Sequence, residues 1–266
     1  MPKYDFIVKE VSKETALKMV QKYHYSNTLP KLNKHFVGFY LKDELVGLVT
    51  LGWGTRPLHT IQKLFVNLST KDYYEIGRMC MTEEMPKNSE SQMISLLCKW
   101  IKENQPQIKI LFTWADGMLG KVGYVYQACS FNYIGYYMTD IYMKDGQKIH
   151  PRQTRTLLSP NDTRKTVRPT QQQMEQFNIE HYKGKQYKYF KFLCSKTEKK
   201  RLLKQLLTPI LPYPKENDLE WKKYVNGKWE KSDIPDYKTD LNKNEVLNLI
   251  NKEIEDGVQL SLFDEV

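Results

Sequence analysis

Asp116 is the first of several side chains in this 266-residue sequence whose type and position suggest chemistry. It follows the apolar run KILFTWA and opens the glycine-containing turn DGMLG. Ligands of open α/β sheets bind at the carboxyl ends of the strands, where a carboxylate can accept a proton or orient a reacting group. Asp116 could also cap a turn or a helix, and the two roles are compatible.

His24 and Tyr25 close the first predicted helix, where an imidazole and a phenol could face a cleft. Such a pair also occurs for structural reasons alone. Arg78 lies on a predicted strand and either binds a phosphate or carboxylate or forms a surface ion pair. Because Glu75 and Arg78 are three residues apart, regular alternation predicts that they point to opposite faces and do not pair.

Asn88, Ser89 and Ser91 lie at the predicted start of a later helix. Free backbone N–H groups and the positive end of the helix dipole attract anions at such a place, which makes these residues candidates for binding an anionic group. Ordinary capping of the helix is the alternative.

The elements that must position these residues alternate along the first 143 residues. The pattern predicts a strand at 4–11, a helix at 12–26 capped by Ser12, a hairpin at 35–53 that turns at Lys42-Asp43-Glu44, a strand at 73–81, a helix at 89–104, a strand at 108–116, a helix at 119–130 and a strand at 131–143. This order predicts an α/β fold with a mixed central sheet flanked by helices. A second hairpin, around Asn226-Gly227, is predicted as an extension at 216–231, followed by a flexible linker and tail at 232–266.

The positive charge is concentrated in one segment. The net charge is +10, and residues 144–204 hold 16 Lys and Arg against 5 Asp and Glu. The cations that lie among Ser, Thr, Asn and Gln are Arg152, Arg155, Arg164, Lys165 and Arg168. Such side chains make phosphate contacts, so the segment is predicted to be a basic insertion that contacts double-stranded DNA; a solvated surface loop is the alternative.

The sequence argues against several other classes of protein. No apolar run approaches the ~18 residues of a membrane span, and the N-terminal segment carries charges, so a cytoplasmic protein is expected. The four cysteines include no CxxC pair, which disfavours a zinc knuckle or a disulfide framework.

Three runs carry a more specific resemblance: YHYS at 23–26, EIGRMCMTEEMPKNSES at 75–91 and TWADGMLGKVGYVYQACSFNYIG at 113–135. In content and spacing they resemble the Mom family of phage DNA-modification proteins, over roughly residues 1–215. That family has a GNAT-like fold. The resemblance implies conversion of the exocyclic amine of adenine in DNA to a carbamoylmethyl derivative, which protects phage DNA from restriction in the host cytoplasm.

This chemistry sets requirements for the site. The adenine N6 atom is conjugated with its ring, so the base must leave the stack, and its amine must be oriented and lose a proton. The resemblance implies that the catalytic residues are His24, Tyr25, Arg78, Ser91, Asp116 and Tyr126, with Asn88 and Ser89 binding the group donor. Tyr124 and Tyr126 are predicted on opposite sides of a short helix, and the resemblance favours Tyr126 for stacking on the flipped base.

One departure concerns the group donor. Acyl-CoA-dependent GNAT proteins usually have a glycine-spaced loop after the central strand, whereas this chain has TEEMPKNSES, with Glu83 and Glu84 and no glycine. The donor is therefore left open between acyl-CoA and another carrier. The resemblance also admits iron, but no His, Asp or Glu spacing identifies its ligands. A catalytically inactive GNAT-like protein that binds DNA or acts as an inhibitor is the alternative function.

The last motif is QLSLF, near the end of the sequence after a polar, charged stretch. It resembles the peptide by which bacterial DNA polymerases and repair proteins bind the sliding clamp. In that interpretation Gln259 makes a polar contact, while Leu260, Leu262 and Phe263 fill apolar pockets. The alternative is that these side chains cover a gap on the protein's own core.

Overall fold

Two units make up the part of the chain that the computed structural model describes, which is residues 4–26, 28–144, 146–149 and 169–235. The first unit comprises Met1–Thr139 and Gly184–Glu220, and the second comprises Asp140–Lys183 and Trp221–Val266. The predicted DNA-binding and clamp-binding residues lie outside the described residues: Arg152, Arg155, Arg164, Lys165, Arg168, Gln259, Leu260, Leu262 and Phe263.

The first unit begins with the predicted order of elements and one addition, the short helix Pro57–Gln62, which lies in a stretch predicted as a loop. They are β1 (Ile7–Glu10), α1 (Lys13–Tyr23), β2 (Leu32–Leu41), β3 (Glu44–Trp53), α2 (Pro57–Gln62), β4 (Tyr73–Met81), α3 (Ser89–Asn104), β5 (Ile110–Asp116), α4 (Tyr124–Ala128) and β6 (Asn132–Lys144). Ser12 caps α1, since its side chain accepts a hydrogen bond from the Thr15 N–H. Lys42 and Asp43 both have positive φ, as the tight turn of the β2–β3 hairpin requires.

The helix predicted over 119–130 is shorter than expected. Gly120 and Gly123 have φ of 70° and 92°, which interrupt a right-handed helix, and only Tyr124–Ala128 is α-helical. A Cβ atom at Gly123 would lie 2.8 Å from the Tyr189 ring, so close packing also requires glycine there.

The basic segment contains a strand of the sheet. It includes α5 (Gln171–Gln176), β8 (Ile179–Phe192) and α6 (Lys196–Leu203). Within the first unit β8 pairs antiparallel with β5, from Gln186 opposite Asp116 to Phe192 opposite Ile110. Tyr187, Tyr189 and Phe190 are fully buried, so the prediction that 144–204 is an insertion is wrong for this stretch. The sheet order is β1-β2-β3-β4-β5-β8-β6.

Two core clusters hold this sheet. One packs α3 side chains such as Met93 and Leu97 against Val49 and Leu51 of β3. The other contains Ile61 and Phe65 together with Phe112 of β5 and Phe190 of β8. No helix in the described part of the chain is long and apolar enough to cross a membrane.

The second unit contains β7 (Gln147–Ile149) and the hairpin of β9 (Trp221–Val225) and β10 (Lys228–Ser232). Asn226 and Gly227 have positive φ at its turn, which confirms the predicted hairpin. His181 stacks on Tyr142 with ring centroids 4.2 Å apart.

Candidate active site

A cleft opens where β4 and β5 separate. The two strands pair in parallel only at Tyr73–Ile110, Tyr74–Leu111 and Glu75–Phe112. Beyond these pairs β4 continues to Met81 and β5 to Asp116. The cleft has a volume of about 800 Å³ and is lined by both strand ends, the end of α1, the loop before α3 and the start of α4. It lies at the carboxyl ends of two parallel strands, where α/β proteins bind ligands.

A β-bulge at Gly77 changes the face of β4 on which Arg78 lies. Leu51 of β3 pairs with Ile76, and the next residue, Thr50, pairs with Arg78, so Gly77 is an extra residue. The bulge reverses the alternation, because Ile76 and Met79, three residues apart, pack on the same core cluster. Glu75 and Arg78 therefore lie on the same face of the sheet, and the prediction of opposite faces is wrong.

Arg78 holds the segment that follows α1 at the cleft by hydrogen bonds. Its Nη2 donates a hydrogen bond to Ser26 Oγ and its Nε donates to the Thr28 carbonyl, each at 2.9 Å. The guanidinium thus holds the short run that carries His24 and Tyr25, and it does not pair with Glu75.

His24 and Tyr25 form one stacked unit. Their ring centroids are 4.2 Å apart at an interplanar angle of 28°. His24 Nδ1 lies 2.9 Å from the Ser26 nitrogen and 3.0 Å from the Ser26 oxygen, so the Ser26 backbone holds this ring nitrogen in either tautomer. The ammonium of Lys121 lies 5.4 Å from the centroid of the Tyr25 ring. Both rings line the cleft.

Asp116 ends β5 and lines the same cleft as Arg78 and Tyr25. One oxygen of its carboxylate, Oδ1, accepts a hydrogen bond from the Met118 N–H at 3.1 Å, which caps the 3₁₀ helix Gly117–Leu119. A Cβ atom at Gly117 would lie 2.3 Å from the Lys185 oxygen, so glycine is required next to the carboxylate. The capping role is therefore present, and it fixes the carboxylate at the cleft.

Tyr124 and Tyr126 take different environments, as predicted for opposite sides of a helix. Tyr126 is 7% exposed and packs on Phe131 and Tyr189, with centroid distances of 5.4 and 5.7 Å. Burial raises the pKa of the Tyr126 hydroxyl. Tyr124 is 48% exposed at the cleft. The ring with an accessible surface is thus Tyr124, although the resemblance favours Tyr126 for stacking.

The serines at the start of α3 bond within their own turn. The Ser89 hydroxyl donates to the Pro86 oxygen at 2.7 Å, and the Ser91 hydroxyl donates to the Asn88 oxygen at 2.8 Å. Their backbone N–H groups donate to the same two carbonyls. Asn88 has φ of 78° and makes no side-chain cap bond. Asn88 and Ser91 line the cleft, whereas Ser89 is buried beside it.

These contacts bear on the group donor. An ordinary acyl-CoA site presents several backbone N–H groups to a pyrophosphate. Here the N–H groups of Ser89 and Ser91 are already bonded, and Glu83 and Glu90 line the cleft. The residues present therefore do not fit an ordinary pyrophosphate site.

For iron, the described part of the chain contains no group of three or more His, Cys, Asp or Glu that could hold a metal ion.

Glu75 and Trp114 are two residues of this region to which the sequence pattern assigned no role in the site. Glu75 is 9% exposed, and the Trp114 side chain and the Gly54 backbone beside its carboxyl favour the charged form. Burial raises the pKa of Glu75 from its usual 4.5 to about 7. Trp114 lines the cleft, so the buried Glu75 lies behind a ring of the site. A lone acid in the strand YYEIGRMCM was the available signal.

Glu75→Gln is expected to stabilise the protein above neutral pH. The stability that the neutral carboxyl contributes is present below about pH 4.5 and is lost as the pH rises through about 7. The cost of burying the charge reaches about 3 kcal/mol, and Gln avoids it because its amide carries no charge. Urea unfolding of both proteins near pH 5 and near pH 8 measures the difference. A difference that is the same at both pH values would contradict the assignment.

Comparison with known proteins gives the family. The model of the Mom protein family matches residues 5–215. A relative, the methylcarbamoylase mom of Escherichia phage Mu, is 29% identical over 210 residues, which cover 78% of this chain and 83% of the relative.

Solved structures similar to the chain include acetyltransferases. One from Bacillus subtilis, in complex with CoA, has 13% identity and a TM-score of 0.38, and the match covers 72% of this chain and 100% of that one. An aminoglycoside N(6')acetyltransferase from Legionella pneumophila has 12% identity and a TM-score of 0.38, with 77% and 98% covered. The family match spans the cleft and all three runs that line it, and the chain therefore belongs to the Mom protein family.

Proposed function

We propose that the chain is a DNA-modification enzyme that transfers a carbamoylmethyl-type group to the N6 amine of adenine in phage DNA. The observation that carries the proposal is the cleft between β4 and β5, in which Asp116, Arg78 and the His24–Tyr25 pair meet in a member of the Mom family. The similar protein of phage Mu is named as a methylcarbamoylase.

The target base must leave the DNA stack to reach this cleft. A volume of about 800 Å³ is in the range of sites that bind a molecule as large as a nucleobase. The exposed Tyr124 ring offers a stacking surface at its wall, and Tyr126 shapes the wall from the core side. His24 and Tyr25 supply hydrogen-bonding groups for the edge of the base.

In the proposed reaction the N6 lone pair forms a bond to the carbon of the incoming group. The bond from that carbon to the donor breaks, and its electron pair leaves with the donor. N6 must lose one proton to remain an uncharged amine, and the Asp116 carboxylate accepts it. Met118 N–H holds Asp116 Oδ1, so the carboxylate needs little reorganisation to act. Asn88 and Ser91 line the cleft and are proposed contacts of the donor, with Ser89 supporting their turn from the buried side. Because these residues do not form an ordinary pyrophosphate site, a carrier other than acyl-CoA is proposed.

Restriction of DNA from cells that express the full chain tests the proposal. Resistance to restriction endonucleases with adenine in their recognition sites is expected, because a group on N6 obstructs base contacts in the major groove. The alternative is an inactive DNA-binding or inhibitor protein, favoured by the absence of a glycine-spaced loop in 82–91. DNA that binds the protein but is cut as readily as DNA from cells with an empty vector would support that alternative.

We also propose that QLSLF at 259–263 binds the sliding clamp of the host, on the basis of its residue pattern. Tethering to a ring that moves on DNA would raise the local concentration of DNA around the enzyme. The full chain is expected to retain the host clamp in a pull-down, and the Leu262→Ala, Phe263→Ala double variant is expected to lose it. Equal retention of the clamp by both proteins would refute the assignment, as would no retention by the wild type.

A further inference from the structure

A surface beside the cleft combines two aromatic rings with two lysines, and the reaction proposed above does not use it. Its members are Trp114 of β5, Tyr137 of β6, Lys188 of β8 and Lys63 after α2, which we call the aromatic–lysine surface. All four belong to the first unit. Trp114 also lines the cleft, so the surface begins where the candidate active site ends.

The sheet register brings Trp114 and Lys188 together, and Lys63 precedes Leu64, which packs in the same core cluster as Phe112 and Phe190. Lys188 lies directly opposite Trp114 in the β5–β8 pair, and such neighbours have Cβ atoms about 5 Å apart. Strand alternation places both on the face that carries Phe112 and Phe190 of the second core cluster. The Tyr137 ring meets the Trp114 ring edge to face, with centroids 5.0 Å apart at 84°.

The aromatic part of the surface is accessible and held in place. Tyr137 is 44% exposed. The Trp114 ring packs on Phe112 with centroids 5.1 Å apart, and the buried Glu75 lies beside it. A base that stacks here would therefore meet a surface with little freedom to lose on binding.

The two lysines of the surface have no carboxylate partner among the described residues. Within the described residues neither Lys63 nor Lys188 forms an ion pair, whereas Lys109 pairs with Asp72 at 2.8 Å and Lys185 pairs with Glu220 at 3.3 Å. Lys188 is half-buried, and burial together with the charge of Lys63 lowers its pKa. A desolvated cation beside a second cation is unfavourable unless an anion joins them.

We propose that the aromatic–lysine surface binds the DNA strand next to the extruded nucleotide, with a phosphate between Lys63 and Lys188 and an adjoining base on Tyr137. Aromatic rings beside cations are the usual means of holding an unpaired strand, because every base has a π face and every nucleotide a phosphate. Continuity with the cleft through Trp114 favours DNA over an acidic peptide, which has no need of the rings. The inference rests on the proposed function for its choice of strand.

Binding of the full chain to DNA at several salt concentrations tests the lysines. The Lys63→Ala, Lys188→Ala double variant removes the proposed phosphate contact. Its affinity is expected to fall roughly 5-fold at physiological salt, with the salt slope reduced by roughly 0.9. The Lys18→Ala, Lys99→Ala variant removes the same charge from the exposed surfaces of α1 and α3 and controls for net charge. Equal slopes for the two double variants would overturn the proposal.

Tyr137 is tested with two duplexes that differ in one unpaired adenine. Tyr137→Ala is expected to reduce the preference for the duplex with the unpaired adenine, and Tyr137→Phe is expected to keep it, because stacking needs the ring and not the hydroxyl. If both tyrosine variants keep the preference for the unpaired adenine, the stacking contact is wrong.

The single variant Lys63→Ala, at an exposed position, repeats the lysine test if the double variant does not fold.

The binding assays separate this inference from the proposed function. If the lysine variants bind like the control while the wild type still modifies DNA, the surface assignment is wrong and the function stands. If the lysine and tyrosine effects appear while the wild type modifies no DNA, the surface assignment stands and the enzyme proposal is wrong.

Discussion

Replacing Asp116 by Asn is expected to abolish modification of adenine while leaving the fold intact. The Asn carbonyl oxygen can still accept the hydrogen bond from the Met118 N–H, so the cap after β5 is kept. The amide cannot accept the N6 proton, and loss of a general base typically costs about 100- to 10,000-fold in rate. The amount of modified adenine in cellular DNA measures activity, and thermal unfolding measures the fold.

Asp43→Asn is the matched control for this change. Asp43 lies at the turn of the β2–β3 hairpin with φ of 66°, a conformation that Asn adopts as readily as Asp. This variant should modify DNA like the wild type. Modified adenine at the wild-type level in Asp116→Asn would show that another group accepts the proton.

The second large effect is expected from the arginines of the basic segment. Replacing Arg152, Arg155, Arg164 and Arg168 together by Ala is expected to weaken binding to unrelated duplexes alike. Each lost phosphate contact should reduce the salt slope by roughly 0.9, so four contacts give a loss of roughly 100- to 1,000-fold in affinity at physiological salt. Fluorescence anisotropy with labelled duplexes over a range of salt concentrations measures both quantities.

The corresponding variant with Lys at all four positions separates charge from other effects. It keeps the cations and should keep most of the salt slope, although it loses bidentate contacts. An unchanged salt slope in the Ala variant would show that these arginines face solvent and that DNA binds elsewhere.

Local signals predicted much of the framework that holds the site. Ser12 capped its helix, and the turns at Lys42-Asp43 and Asn226-Gly227 formed hairpins, because each depends on a few neighbouring residues. The position of Asp116 at the end of an apolar strand followed from the length of the run KILFTWA. These features need no knowledge of distant contacts.

Other features depend on contacts that are distant in sequence. The bulge at Gly77 arises from the register of β4 against β3. A glycine inside a strand pattern is a sign of a bulge, but the pairing that decides it involves residues distant in sequence. The β8 strand lies in the segment 144–204, whose net positive charge favoured a DNA-binding insertion, and four of its residues are the lysines at 183, 185, 188 and 191. Their long stems can cover apolar surface while Tyr187 and Tyr189 fill the core.

The nucleosides of DNA from cells that express the full chain provide the most direct test of adenine modification. Digested DNA from wild-type, Asp116→Asn and empty-vector cells would be compared by liquid chromatography and tandem mass spectrometry. The account predicts a new deoxyadenosine derivative in the wild-type sample alone, with fragmentation that places the added group on N6. Unmodified nucleosides in cells that contain folded, DNA-bound protein would contradict it, as would an added group on another base.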